Sequence, residues 1–182
     1  MSQATFTDGI GYEGKVTLTL RNNDQVLRTK TYKNSGTAQL FKFLGYCLID
    51  AYEEAKKLAP SKIMLLQNIS SDNPDNANPV SVMPQSLFRG FAQTPTIVSD
   101  SVTKQVKVTY SFEIPRAAIE GPFNQIALYG AGMTETDYTD FSAYYFLTDA
   151  FGAFELLDPT TDDWSATTVL LVEWELGISN KE

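Results

Sequence analysis

Glu173 and Glu175 are the residues whose type and spacing come nearest to a catalytic device. On a strand, positions i and i+2 share a face about 6.5–7 Å apart, within the range of paired glycosidase carboxylates. Such a pair works only when its surroundings hold one carboxyl protonated. Val169 and Leu171 lie on the same face, and nothing else there raises a carboxylate pKa. A strand that leaves the core and becomes solvated explains the pair more simply, which leaves a glycosidase as the remotest reading. Gly9-Ile10-Gly11-Tyr12-Glu13-Gly14 fits the dinucleotide fingerprint literally. That chemistry needs a strand before it and a helix N-terminus after it, and here a strand follows. Ser101-Val102-Thr103-Lys104 fits an acyl-enzyme spacing, which needs a helical turn, whereas the segment reads as strand. Cys47, the only cysteine, sits on a helical apolar stripe and reads as core packing. Asp137, Asp140, Asp158, Asp162 and Asp163 offer hard oxygen ligands for Ca²⁺, but their spacing matches no EF-hand loop.

Absent residues narrow the function further. The chain has no histidine, so the commonest general base and metal ligand is missing. The stretch from Ala117 to Asn180 is rich in Asp and Glu and contains no Lys or Arg. A surface that tracks phosphates needs those cations, so no nucleic-acid partner is expected. Charge is divided along the chain. Residues 1–67 carry 9 Lys and Arg against 6 Asp and Glu, and residues 68–182 carry 5 against 16. The halves therefore stand at +3 and −11, a split that reads either as a solubilising acidic surface or as one suited to contacts between copies or partners. No apolar run is long enough to span a bilayer, so no membrane partner is expected. The first residues lack a basic start and an apolar run, and one cysteine cannot form an internal disulfide. Synthesis and folding in a cytoplasm are expected, with no cofactor and no metal.

The elements that would position these residues are mostly strands. Val16, Leu18 and Leu20 alternate with Lys15, Thr17 and Thr19, and Asn22-Asn23-Asp24 turns into a second strand, Gln25 to Lys33. Asn34-Ser35-Gly36-Thr37 supplies caps for a helix. Leu40, Phe41, Leu44, Cys47, Leu48, Ala51, Tyr52, Ala55 and Leu58 then form a stripe of period 3.6 that ends at Pro60. The pattern predicts one long amphipathic helix over about residues 37–59. Ile63 to Leu66 reads as a strand covered on both faces, and residues 68–79 as a long exposed loop. Further strands are predicted at Ser86 to Phe91, Thr96 to Ser99, Val102 to Ile114, Asn124 to Tyr129, Phe141 to Leu147 and Thr168 to Ile178. The last sets Leu170, Val172, Trp174, Leu176 and Ile178 on one face. About eight strands without a repeating βαβ unit predict a mainly β (α+β) chain. It is expected to be a single domain over residues 1–182, an antiparallel, jelly-roll-like β-sandwich with the helix packed on it.

Aromatics crowd the acidic half. Tyr138, Phe141, Tyr144, Tyr145, Phe146, Phe151, Phe154 and Trp164 follow one another closely, more than one buried face of a strand absorbs. They read either as extra core packing or as a candidate interface made of Tyr138, Asp140, Phe141, Tyr144, Tyr145 and Trp164.

Gly121-Pro122-Phe123-Asn124-Gln125-Ile126-Ala127-Leu128-Tyr129 resembles a segment of tailed-bacteriophage structural proteins in which a strand ends in Ala-Leu-Tyr. Leu170 to Asn180, with Trp174, resembles the terminal Trp-bearing strand of many such proteins, and the turn Asn34 to Thr37 entering the helix fits the same pattern. The resemblance covers about a quarter of the chain. It implies a non-enzymatic virion component of the capsid, as decoration, or of the tail and its adaptors. Its partners would be other virion proteins and copies of itself, in contacts on the order of 800 Å² per partner. The alternative is a carbohydrate- or receptor-binding β-sandwich module. It would stack sugars on Tyr138, Tyr144, Tyr145 or Trp164, with Ca²⁺ on nearby Asp residues in one form of the idea.

Overall fold

Strand-forming alternation dominates the chain, and a computed structural model turns it into two antiparallel sheets. The structure describes residues 9–34, 38–67, 80–81, 89–90, 93–130, 145–147 and 164–181. The strands are β1 (Gly9–Asn22), β2 (Gln25–Asn34), β3 (Pro60–Gln67), β4 (Val80–Ser81) and β5 (Arg89–Gly90). They continue as β6 (Gln93–Asp100), β7 (Gln105–Pro115), β8 (Gln125–Gly130), β9 (Tyr145–Leu147) and β10 (Thr168–Lys181). One sheet runs β2-β1-β10-β7-β6; the other runs β4-β3-β8-β9, with β5 also paired to β3.

The first sheet is built on its longest strands. β1 and β10 pair in one unbroken register from Gly9↔Lys181 to Asn22↔Thr168. Leu18↔Val172 and Val16↔Trp174 thereby stack on one face, and β7 continues the rows with Phe112 opposite Val172 and Ile114 opposite Leu170. All of these are buried. The hairpin of β1 and β2 turns at Asn23, which takes the left-handed backbone with φ 52° that Asn tolerates better than most residues. In the second sheet Ile63, Met64, Leu65 and Leu66 are each 0% exposed, as expected of a strand covered on both faces. Both sheets feed one apolar cluster, joined by Leu40, Ala118, Ile119 and Phe123.

The long helix is two short ones. α1 (Ala38–Leu48) and α2 (Tyr52–Leu58) are separated by Ile49, Asp50 and Ala51. Asp50 sits at φ 56°, and the Ala51 amide donates to the Tyr46 carbonyl at 3.0 Å. A left-handed residue followed by that six-to-one bond is the Schellman ending of a helix, with Asp in the place usually taken by Gly. The apolar stripe therefore does not face one core. Leu40, Ala55 and Leu58 are buried and Leu44 half-buried, while Phe41, Leu48 and Tyr52 are exposed. Cys47 is exposed as well, not packed in the core.

β7 begins at Gln105, later than the alternation predicts, because residues 101–104 form the turn from β6. Its core face fades toward that turn, from buried Phe112 and Ile114 through half-buried Tyr110 to exposed Val106. Burial pushes the Tyr110 phenol up to about 12. An ordinary phenol titrates at about 10, so above that pH the unfolded chain loses a proton that the fold retains. The contribution is complete below about pH 10 and is lost as pH rises through about 12. Urea denaturation from roughly pH 8 to pH 11 is expected to show falling stability, with a smaller fall in Tyr110→Phe. Equal slopes in the two proteins would assign the alkaline loss to other groups.

The loop at residues 68–79, the caps at residues 35–37, and residues 86–88, 91 and 141–144 of two expected strands lie outside the described residues.

Candidate functional site

Glu173 and Glu175 stand on the outer face of β10, in the middle of an open sheet. Glu173 lies between Thr17 and Ser111, and Glu175 between Lys15 and Thr109. One oxygen of Glu175 is 3.2 Å from Lys107 Nζ and 3.9 Å from Lys15 Nζ. Around it Thr17 and Thr31 share a hydroxyl hydrogen bond of 3.1 Å, Thr19 and Thr29 one of 3.3 Å, and Arg21 pairs with Glu113 at 3.8 Å. These are cross-strand contacts of a wetted face, each worth a fraction of a kcal/mol. Two lysines thus share one Glu175 oxygen on an open face. Glu175→Gln is expected to change stability by less than about 1 kcal/mol, and by less still in high salt. A loss several times larger in chemical denaturation would show that the carboxylate does more than close this ladder.

The other short motifs also resolve into backbone. Residues Gly9 to Gly14 lie within β1 itself, so no helix terminus follows the glycines. Ser101 to Lys104 form the β6–β7 turn, not the strand expected of them. Asp100 accepts from the Val102 amide at 2.8 Å and the Thr103 amide at 3.3 Å, and its other oxygen accepts the Thr103 hydroxyl at 2.7 Å. The hydroxyl bond, then the two amide bonds, hold this carboxyl below its ordinary range. Lys104 takes φ 51° to close the turn.

Of the expected interface residues, Tyr138, Asp140, Phe141 and Tyr144 lie outside the described residues, as do Asp137, Asp158, Asp162 and Asp163. Tyr145 opens β9 and is in register with Tyr129 of β8. Trp164 is half-buried and meets Phe123 edge-on, with ring centroids 6.4 Å apart and planes at 87°. Among the described residues no three His, Cys, Asp or Glu converge on a metal site. No described helix is long and apolar enough to cross a membrane.

The surfaces that stand out among the described residues are apolar. Phe41, Leu48, Ile49 and Tyr52 are exposed around the α1–α2 junction, with Leu48 at 74%. Lys42 and Lys56 border them, each lying over a tyrosine ring, Tyr46 and Tyr52 respectively. On the β6–β7 hairpin Ile97, Val98, Val102 and Val106 are exposed, Val102 at 88%. Adjacent residues on a strand point to opposite faces, so Ile97 and Val98 leave apolar side chains uncovered on both faces of β6.

Comparison of the chain with protein-family models, with curated proteins and with solved structures finds no match.

Proposed function

We propose that this protein is a non-enzymatic structural component of a tailed-phage virion, attached to the capsid or built into the tail, and that it works by repeated contacts with copies of itself and other virion proteins. The observation that carries the reading is the pair of uncovered apolar surfaces, at the α1–α2 junction and on the β6–β7 hairpin. Contiguous exposed apolar side chains rimmed by polar groups mark contact surfaces. The split of +3 and −11 between the basic start of the chain and its acidic remainder favours unlike faces meeting. The resemblance of Gly121 to Tyr129 and Leu170 to Asn180 to virion proteins supplies the setting. In this reading the two sheets form a jelly-roll-like sandwich, a rigid body that presents both surfaces.

The rival carbohydrate-binding module has less support. Of its stacking platforms, Trp164 meets Phe123 edge-on at the core instead of standing clear of it.

Gel filtration with light-scattering detection, at low and high salt, tests the proposal. A salt-sensitive mass above the 20.2 kDa of one chain is expected. A monomer at every salt concentration that binds a glycan on an array would overturn it in favour of the rival.

A further inference from the structure

Helix α1 breaks two local rules on its exposed side. Gly45 stands inside the helix, where glycine is less favourable than alanine. A methyl group built on it meets nothing within 4 Å beyond its own turn among the described residues, so the fold itself requires no glycine there. Asp50 is the second departure. It follows the last turn, at the negative end of the helix, where a cation is favoured, and α1 has no basic residue in that turn. Among the described residues no Lys or Arg pairs with it. Both residues belong to one surface. Phe41, Gly45 and Leu48 recur at spacings of four and three, and Lys42, Gly45 and Ile49 at three and four, which puts Gly45 at the middle of one helix face. Phe41 and Leu48 border it on one side and Lys42 and Ile49 on the other, and all four are exposed. Local rules broken without a gain inside the chain are expected where the chain meets something else.

We infer that this face docks on the same face of a second copy, with the two α1 helices crossing antiparallel at Gly45. This rests on the assembly reading above and names the surface and its occupant. Charge selects both the copy and its orientation. Lys42 lies toward one end of the face and Asp50 at the other, and residue 46 is midway between them, one position from Gly45. A two-fold axis at that point brings each Lys42 toward the other copy's Asp50, whereas a parallel pair would set like charges together. Each helix thereby gains, at its C-terminal end, the cation it lacks. The missing side chain at Gly45 lets the two backbones approach. Phe41 of each copy then meets Leu48 and Ile49 of the other, and the exposed apolar surface is covered on both. Two helices of 11 residues cross over less than the roughly 800 Å² per partner of a standard interface, so the dimer is expected at high protein concentration.

Light scattering of the concentrated full chain tests the contact with two variants, Gly45→Gln and Lys42→Glu. The wild type is expected at twice 20.2 kDa in low salt, with its mass falling as salt screens the two ion pairs. Gly45→Gln fills the crossing with a side chain for which the monomer has room. It is expected to be monomeric under the same conditions, while its urea midpoint, read in dilute protein where no dimer forms, is at or above that of the wild type. Leu48→Glu, at an exposed position, replaces it if circular dichroism shows that it is not folded. Lys42→Glu turns two attractions into two repulsions. Its dimer is expected to be roughly tenfold weaker at low salt and to recover as salt rises, the opposite response to that of the wild type. If the wild type assembles and Gly45→Gln keeps its full mass, the contact lies elsewhere and the assembly reading stands without it. If Lys42→Glu follows the wild type at every salt concentration, the antiparallel docking is wrong. A wild type that stays monomeric at every salt concentration overturns this contact, and the glycan array then decides the assembly reading.

Discussion

Trp174→Ala is expected to destabilise the fold by about 3–5 kcal/mol, the range for deleting a large buried aromatic. Trp174 is wholly buried at the middle of β10, opposite Val16 on one side and Tyr110 on the other. β10 is the central strand of its sheet, so no edge can relax inward to fill the gap. A domain of this size is stable by roughly 5–15 kcal/mol, so the variant is left with a fraction of its stability. Trp174→Phe separates bulk from polarity. The indole N–H is buried with no hydrogen-bond partner among the described residues, and an unpaired buried donor is a liability. Phenylalanine removes that liability while keeping most of the volume, so its loss is expected to be less than half that of alanine. Urea denaturation of the three proteins measures both differences. A wild-type midpoint for Trp174→Ala would mean that the core does not close around this ring.

Why Trp174 could be placed from sequence alone is instructive. Val172, Trp174 and Leu176 alternate with Glu173, Glu175 and Gly177, and a period of two has only one way to sit on a half-covered sheet. Ile63 to Leu66 was legible for the opposite reason, since four apolar residues in succession have no wet face. The helix was legible in type but not in extent. Its stripe runs unbroken past Asp50, and only the left-handed backbone of that residue ends α1. Asp adopts that conformation far less often than Gly, so nothing in the pattern announced the stop. Once the helix breaks, Phe41, Leu48 and Tyr52 lose the core they were expected to face, and Cys47 goes with them. Uncovered surface is the property that sequence reports least well, because periodicity shows which residues share a face and not whether anything lies over it. Ile97, Val98 and Val106 have ordinary strand sequences, and nothing in their alternation marks them as exposed. The Glu173–Glu175 face was legible from its alternation, whereas Lys15 and Lys107 reach it only through strand register.

Gly130→Ala is expected to cost about 3 kcal/mol, the upper end for overpacking a filled site. The chain reads as a simple stop there, since Gly130-Ala131-Gly132 follows a strand, yet the structure gives Gly130 a second duty. A methyl group built on it would overlap the Lys57 carbonyl oxygen and stand 3.0 Å from Leu58 Cα and 3.2 Å from Leu58 C. All of these are backbone atoms, which cannot swing aside as a flexible side chain does. Helix α2 is short, at 7 residues, and Ala55 and Leu58 are its buried contacts. A helix so short is held by its packing and not by its own hydrogen bonds. The methyl group must therefore lift the end of α2 or bend β8, and either movement opens the seam that Leu58 closes. Gly45→Ala provides the control, because a methyl group there meets nothing within 4 Å among the described residues. That position lies inside α1, where Ala is favoured over Gly by roughly 0.5–1 kcal/mol. The same chemical change is thus expected to stabilise one site and destabilise the other, with both read from the same urea titration. Equal stability of Gly130→Ala and the wild type would show that α2 does not rest on β8, and that the exposed helical surface it carries is not held rigidly against the sheets.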